Sequence, residues 1–425
     1  MEAMMLQHIG VPCTTKIREP DAVLCQKDDI FYLNPEAIVR YEPDGAVITS
    51  PRYFGKYGTF IYADDELAAL LKQKTFSGKY LPESTLMLLK ANKAILDRPP
   101  ENNDYRESHV QLSGLPVRAF LEVTSACNCH CLACYHVADL EGYTPPFGDV
   151  IRRIDKLKGL GIGLFDVTGG EAFLRNDLDK ILNHIAESKL HFCVSTNGEY
   201  LRDMSGNLVD ALKKSLGLSV SLDGVGNVHD ELRQRKGLFE KVIAGLDIVH
   251  AHKIPIYFLA TMNRRNISCA SDMVAVARRY DTVVNFRPTV QTGGAIINNI
   301  DRMDLARELN GIIGSDNPKN GFVSTIKIAA RARYYGCGIR KKISVSPRGI
   351  LFPCVMDRSR FDRDIETYTQ KSLIEELKAE TRLMLGNHRK CESCEINRGR
   401  SQPVCGGFCR FSRSYERDKI KRLGK

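Results

Sequence analysis

No apolar run in this 425-residue chain approaches the ~18–20 residues that a membrane-spanning helix needs, so a helical membrane protein is not expected. The opening Met1-Glu2-Ala3-Met4 has no basic stretch followed by an apolar segment, and no secretory signal is expected. Low complexity is also lacking. With 43% apolar and 26% charged residues the composition is that of a globular chain and too apolar for a disordered one. No internal repeat occurs beyond an alternation of strand and helix patterns. At roughly 150 residues per domain the length predicts two or three domains in a cytoplasmic protein.

Positive charge and cysteine are plentiful. The formal net charge is +10, and residues 410–425 carry a net +5 of it in one basic tail. A short tail is a solvated segment more readily than a nucleic-acid face, and no appended nucleic-acid module is found, so nucleic acid is not an expected partner. Fourteen cysteines in a cytosolic chain point to metal or redox chemistry rather than disulfides. Four form a tight group, Cys127, Cys129, Cys131 and Cys134. Six form a looser one, Cys337, Cys354, Cys391, Cys394, Cys405 and Cys409.

Residues 1–100 read as a small unit of strands near 30–33, 38–39 and 46–48, followed by a helix capped at Asp64-Asp65 and a second helical pattern through Leu86, Leu89 and Leu96. Pro99-Pro100 opens a linker over 101–115. From 116 to 300 six strand–helix units alternate, with strands near 117–123, 164–167, 192–195, 218–222, 256–259 and 283–286. Such alternation predicts an α/β fold, a parallel sheet covered by helices, with its chemistry at the carboxyl ends of the strands. Residues 301–336 read as a connector, and 337–425 as a cysteine-rich segment whose small core requires bound metal.

The first strand ends in Glu122-Val123-Thr124-Ser125-Ala126, and Cys127, Cys131 and Cys134 follow with C-x3-C-x2-C spacing. Three thiolates on one loop can hold three irons of a [4Fe–4S] cube and leave the fourth iron open. Zinc with His130 or His136 as a further ligand, and strained local disulfides, are the competing readings. Cys129 falls outside the spacing and is taken as a bystander.

This loop resembles that of the radical S-adenosylmethionine (SAM) superfamily, and later motifs sit at the matching strand ends. Gly169-Gly170-Glu171 resembles the motif that receives the SAM amino group. Ser195-Thr196-Asn197-Gly198 and Ser221-Leu222-Asp223-Gly224 resemble segments near the SAM ribose and carboxylate, and Arg233 follows where it can meet that carboxylate. The resemblance implies a partial (β/α)6 TIM-like barrel. It also implies a SAM site formed by Tyr135, Gly169, Gly170, Glu171, Ser195, Asn197, Ser221, Asp223 and Arg233, with adenine packing shared among Tyr135, Leu259 and Met262. The position before Cys134 is often aromatic in the family, and here it is Ala133. The implied chemistry is one-electron cleavage of SAM to methionine and a 5′-deoxyadenosyl radical that removes a substrate hydrogen. Cys129, Cys193 and Cys269 are candidate hydrogen donors.

The second cysteine group resembles the SPASM extension of radical SAM peptide maturases. By that pattern Cys337, Cys354 and Cys409 would ligate one auxiliary [4Fe–4S] cluster, and Cys391, Cys394 and Cys405 a second. The family pattern is departed from in two places: ten residues separate Cys394 from Cys405, and no cysteine follows Cys409. One auxiliary cluster, or zinc, stays open as an alternative. Residues 28–96 resemble the winged-helix, PqqD-like (pyrroloquinoline quinone chaperone-like) module that pairs a leader peptide with a sheet edge, with Tyr32, Ile38, Val39 and Tyr41 as candidates for that edge. Together these resemblances imply an enzyme that crosslinks a ribosomally made precursor peptide through a thioether or carbon–carbon bond, served by a donor such as flavodoxin or ferredoxin. A small-molecule radical SAM enzyme of cofactor biosynthesis and a sulfatase-maturase-like, formylglycine-forming enzyme are the alternatives.

Overall fold

The computed structural model describes residues 29–51, 60–136, 141–289, 342–353 and 363–385. The N-terminal unit holds strands β1 (Ile30–Leu33), β2 (Ile38–Glu42), β3 (Gly45–Thr49) and β4 (Phe60–Ala63), then helix α1 (Asp65–Lys72), β5 (Thr75–Ser77), helix α2 (Glu83–Ala91), β6 (Ile95–Leu96) and β7 (Arg106–His109). Helix α1 starts where expected, because Asp64 Oδ1 accepts from the Leu67 N–H at 2.9 Å and Asp65 and Glu66 face the positive helix end. Leu67 and Leu71 then bury one face against Ile48, Ile61 and Leu89.

Three expectations for this unit change. Leu96 does not extend α2: the helix ends at Asn92, Lys93 takes the left-handed conformation at φ 51°, and Leu96 lies in β6. The stretch read as a linker supplies β7, which pairs in parallel with β2 from Ile38↔Arg106 to Tyr41↔His109. Consequently Ile38, Val39 and Tyr41 lie on an interior strand of the sheet ordered β4-β3-β2-β7, and Tyr32 lies on the central strand of β5-β1-β6. Neither strand has an edge left to pair, because both of its sides already exchange backbone hydrogen bonds.

The larger unit is a parallel α/β sheet of partial-barrel type. Its strands are β8 (Arg118–Glu122), β9 (Leu164–Thr168), β10 (His191–Thr196), β11 (Gly217–Ser221), β12 (Ile256–Met262) and β13 (Val284–Pro288). Helices α3 (Phe147–Gly159), α4 (Leu178–Glu187), α5 (Gly206–Lys213), α6 (Asn227–Arg233), α7 (Leu238–Ala251) and α8 (Ala270–Arg279) alternate with them. Strand periodicity divides the side chains. Ala119, Leu121, Phe165, Val167, Phe192, Val194, Leu218, Val220, Phe258 and Ala260 join Ile154, Leu157, Ile181 and Leu246 in one apolar core. The alternate residues, among them Phe120, Glu122, Asp166, Ser195, Ser219, Ser221 and Leu259, occupy the other face of the sheet. By this alternation Met262 belongs to the buried core set, on the face opposite Leu259, with which the resemblance had grouped it.

Beyond the six expected strands, β14 (Lys342–Val345) pairs in parallel with β8, and β15 (Leu351–Phe352) turns back on β14, giving the order β13-β12-β11-β10-β9-β8-β14-β15. Helix α9 (Gln370–Leu385) follows, and its Leu373, Ile374 and Leu377 enter the same core. The connector and the cysteines Cys337, Cys354, Cys391, Cys394, Cys405 and Cys409 lie outside the described residues.

The two units meet at Arg40. Its guanidinium is buried and donates to the carbonyls of Leu115 (2.8 Å), Pro116 (2.6 Å) and Gly161 (2.8 Å), and it pairs with Glu42. Glu42 in turn accepts from the Gly114 N–H at 3.1 Å. No helix among the described residues is long and apolar enough to cross a membrane.

Candidate active site

The carboxyl ends of β8 to β11 bring the expected residues together. Just past β8 the chain turns into the cysteine loop, and the backbone there is fixed on two sides. The Ser125 N–H donates to the Tyr143 carbonyl at 2.9 Å, and Gly170 N and Glu171 N donate to the carbonyls of Thr124 (2.8 Å) and Ala126 (2.7 Å). So close an approach requires glycine. A Cβ on Gly170 would collide with the Ala126 carbonyl and would stand 2.6 Å from the Ser125 oxygen, and one on Gly169, at φ 156°, would collide with the Thr124 carbonyl.

Glu171 is fully buried at the head of this wall. Its Oε1 accepts from the Thr196 hydroxyl (2.9 Å) and the Phe173 N–H (3.1 Å), and its Oε2 accepts from the Asn197 N–H (2.6 Å). Burial pushes the carboxyl up to about 7 against the pull of those donors. Asn197 reaches further: its Nδ2 donates to Asn128 Oδ1 at 2.7 Å and lies 3.5 Å from Cys129 Sγ. Asn128 Nδ2 donates to Glu199, which also takes Arg235 (2.8 Å) and Lys241 (2.6 Å). Burial alone would raise the Glu199 carboxyl, but those two cations outweigh it and hold the group below its ordinary range. Asn128, Thr196 and Glu199 were not singled out from sequence. Each sits inside or beside a motif that was, so their proximity to it was the available signal.

Within the loop Cys127 and Cys129 are buried, and Cys131 and Cys134 are half-buried. The neighbouring Cys129 thiol, more than any other group, lowers the Cys127 thiol and brings Cys131 down to about 6, where the Arg233 guanidinium adds to it. Cys129, taken as a bystander, is buried, with Asn197 Nδ2 3.5 Å from its sulfur. The Cys134 thiol donates to the His136 carbonyl, and Glu122 Oε2 lies 3.4 Å from His136 Nε2. Among the described residues no three metal-ligating side chains stand at metal distance. The donor set nevertheless fits a thiolate-held cluster. Three sulfurs occupy one loop, and two of them are shifted toward thiolate.

Ser195 and Ser221 are half-buried at the ends of β10 and β11. Tyr135 is half-buried, its ring 6.3 Å from that of His136. Asp223 is engaged within the protein: its Oδ1 accepts from the Thr261 N–H at 2.7 Å and its Oδ2 pairs with Arg233 Nε at 2.8 Å. Burial raises the Asp223 carboxyl and the Arg233 charge opposes the rise. Cys193 is packed beside Leu164 under Phe60 and Tyr257, on the strand rather than at its end, which separates it from this site.

Comparison with known proteins agrees with this geometry. Residues 121–277 match the Radical SAM superfamily. The antilisterial bacteriocin subtilosin biosynthesis protein AlbA of Bacillus subtilis is 28% identical over 259 residues, which cover 58% of this chain and 56% of AlbA. The sporulation killing factor maturation protein SkfB of the same organism is 26% identical over 260 residues, 56% of this chain and 62% of SkfB. The chain thus spans less than two thirds of the length of either relative. Among solved structures, Streptococcus suis SuiB bound to S-adenosylmethionine aligns with a TM-score of 0.65 over 91% of this chain and 96% of SuiB at 17% identity, a likeness of fold.

Proposed function

We propose that this chain, which carries a Radical SAM superfamily domain over residues 121–277, modifies a ribosomally made precursor peptide by forming a thioether or carbon–carbon crosslink. The observation that carries the reading is the pairing of that domain with sequence likeness to two maturation and biosynthesis proteins of peptide products. The fold likeness to SuiB supports it, since it extends over 91% of the chain and so takes in the N-terminal unit.

In this reading Cys127, Cys131 and Cys134 hold a [4Fe–4S] cluster. When bound, such a cluster would supply the single electron that cleaves SAM. Glu171, once ionised, accepts the SAM ammonium, and Gly169 and Gly170 let the cysteine-loop backbone close against the end of β9 beside it. Ser195, Asn197 and Ser221 line the strand ends around it, and Tyr135 and Leu259 flank the adenine. Cys337, Cys354, Cys409, Cys391, Cys394 and Cys405 serve one or two auxiliary clusters, and flavodoxin or ferredoxin supplies electrons. The N-terminal unit, residues 1–100 extended by β7, binds the leader. Among the described strands, those at a sheet edge are β4 and β7 rather than β2, and β5 and β6 rather than β1. Tethering the leader there raises the concentration of the core peptide at the radical.

The test uses the full chain, reconstituted anaerobically with iron and sulfide and supplied with SAM, dithionite and a synthetic peptide encoded beside its gene. Deoxyadenosine should form together with a peptide that has lost a pair of hydrogens. Deoxyadenosine formed on a small metabolite, with the peptide unchanged, would refute the reading.

A further inference from the structure

We infer that Arg233 is a positioning and tuning residue for the cysteine loop: it donates to the Cys131 sulfur and so raises the electron affinity of the cluster held there, instead of binding the SAM carboxylate. This rests on the reading of Cys127, Cys131 and Cys134 as cluster ligands.

The geometry is specific at three points. Arg233 Nη1 lies 3.5 Å from Cys131 Sγ, within hydrogen-bond reach of sulfur. Its Nε is held at 2.8 Å by Asp223 Oδ2, and Asp223 is itself fixed by the Thr261 N–H at 2.7 Å and by its own N–H, which donates to His229 Nδ1 at 3.1 Å. Independently, the Leu132 N–H donates to the Leu232 carbonyl at 2.9 Å, so the residue after Cys131 is stitched to the residue before Arg233. Cys131 and Arg233 are thus fixed to each other through backbone and side chain alike, although 102 residues separate them in sequence.

The guanidinium is already committed. Its side chain is 13% exposed and that of Asp223 is 5% exposed, so both charges are sheltered from water and salt. Turning Arg233 toward a SAM carboxylate would leave Asp223 buried without its cation. Left in place, the guanidinium draws electron density from a coordinating thiolate. A reduced cluster carries one more negative charge than an oxidised one, so a fixed donor stabilises the reduced form more. Lysine offers a point charge without the planar fork that spans two partners, and it would reproduce only part of the effect.

The experiment is an equilibrium redox titration of reconstituted full-length protein without SAM, followed by electron paramagnetic resonance. The relevant signal is the one that changes when SAM is added afterwards. R233Q should lower the reduced-to-oxidised ratio at a fixed potential about tenfold, equivalent to a midpoint about 59 mV more negative for a one-electron couple. R233K should fall between R233Q and the wild type. A wild-type midpoint in R233Q, with weakened SAM binding, would overturn the inference and return Arg233 to the SAM carboxylate. Should R233Q fail to take up iron, R233K decides: a midpoint below the wild type supports the inference and an unchanged one overturns it. Wild-type protein with no SAM-responsive signal would sink the proposed function itself, an outcome distinct from both.

Discussion

Asn197 Nδ2 donates to Asn128 Oδ1 at 2.7 Å, and this bond fastens the cysteine loop to the end of the third barrel strand. Because the Asn197 backbone also donates to Glu171, one residue links the loop that would hold iron to the carboxylate that would hold SAM. Replacing Asn128 by alanine removes the acceptor of Asn197 and one donor of Glu199, both buried. An unsatisfied buried polar group costs about 1–3 kcal/mol. Asn128→Ala should therefore lower the denaturation midpoint and release iron faster from the reconstituted protein, read by chelator kinetics. Wild-type release would show that the bond does not hold the loop.

Glu171 predicts a pH dependence. Its carboxyl is raised by burial to about 7, above the ~4.3 of an unfolded glutamate, so the folded state holds the proton more tightly. Its contribution to stability is full below the unfolded value and is lost as pH rises through about 7. Metal-free wild-type protein should lose stability relative to Glu171→Gln between pH ~5 and ~8, as urea midpoints would record. A difference between the two proteins that stays constant with pH would contradict the assignment.

The Gly170 wall can be tested with one methyl group. Gly170→Ala forces a Cβ onto the Ala126 carbonyl, and overpacking of this kind costs roughly 1–3 kcal/mol. The substitution should lower the melting midpoint and reduce iron uptake. Gly206→Ala is the control, since a Cβ there meets nothing within 4 Å; it should be neutral or slightly stabilising.

Much of this arrangement was legible in the sequence, and the rest was hidden for identifiable reasons. The barrel strands announce themselves because every second residue, as in Phe165 and Val167, must be apolar to meet the helices. The cysteine spacing and Gly169-Gly170-Glu171 are local and needed no fold to find. Strand β7, by contrast, is Arg-Glu-Ser-His: it is held by backbone pairing and has no apolar residue to betray it. The contact of Arg233 with Cys131 was missed because no periodicity encodes a contact over 102 residues. Met262 was grouped with Leu259, although the two face opposite ways, because the strand continues three residues past its expected end and its alternation was not followed that far.

Arg40 predicts the strength of the junction between the two units. Removing one partner of a buried ion pair costs about 3–5 kcal/mol, and Arg40→Ala would also strand three carbonyls and Glu42. The variant should show faster hydrogen exchange at residues 114–117 and 161–164 and a lower unfolding midpoint. Unchanged exchange there would mean that other contacts carry the junction.

The pairing of β14 with β8, from Lys342↔Arg118 to Val345↔Leu121, bears on how the chain can be cut. A fragment ending anywhere before residue 342 would leave the strand that launches the cysteine loop with a bare flank of N–H and C=O groups, an invitation to misassociate. The span that matches the superfamily is thus an evolutionary unit without being a mechanical one. A soluble minimal version would have to carry its far-downstream hairpin along.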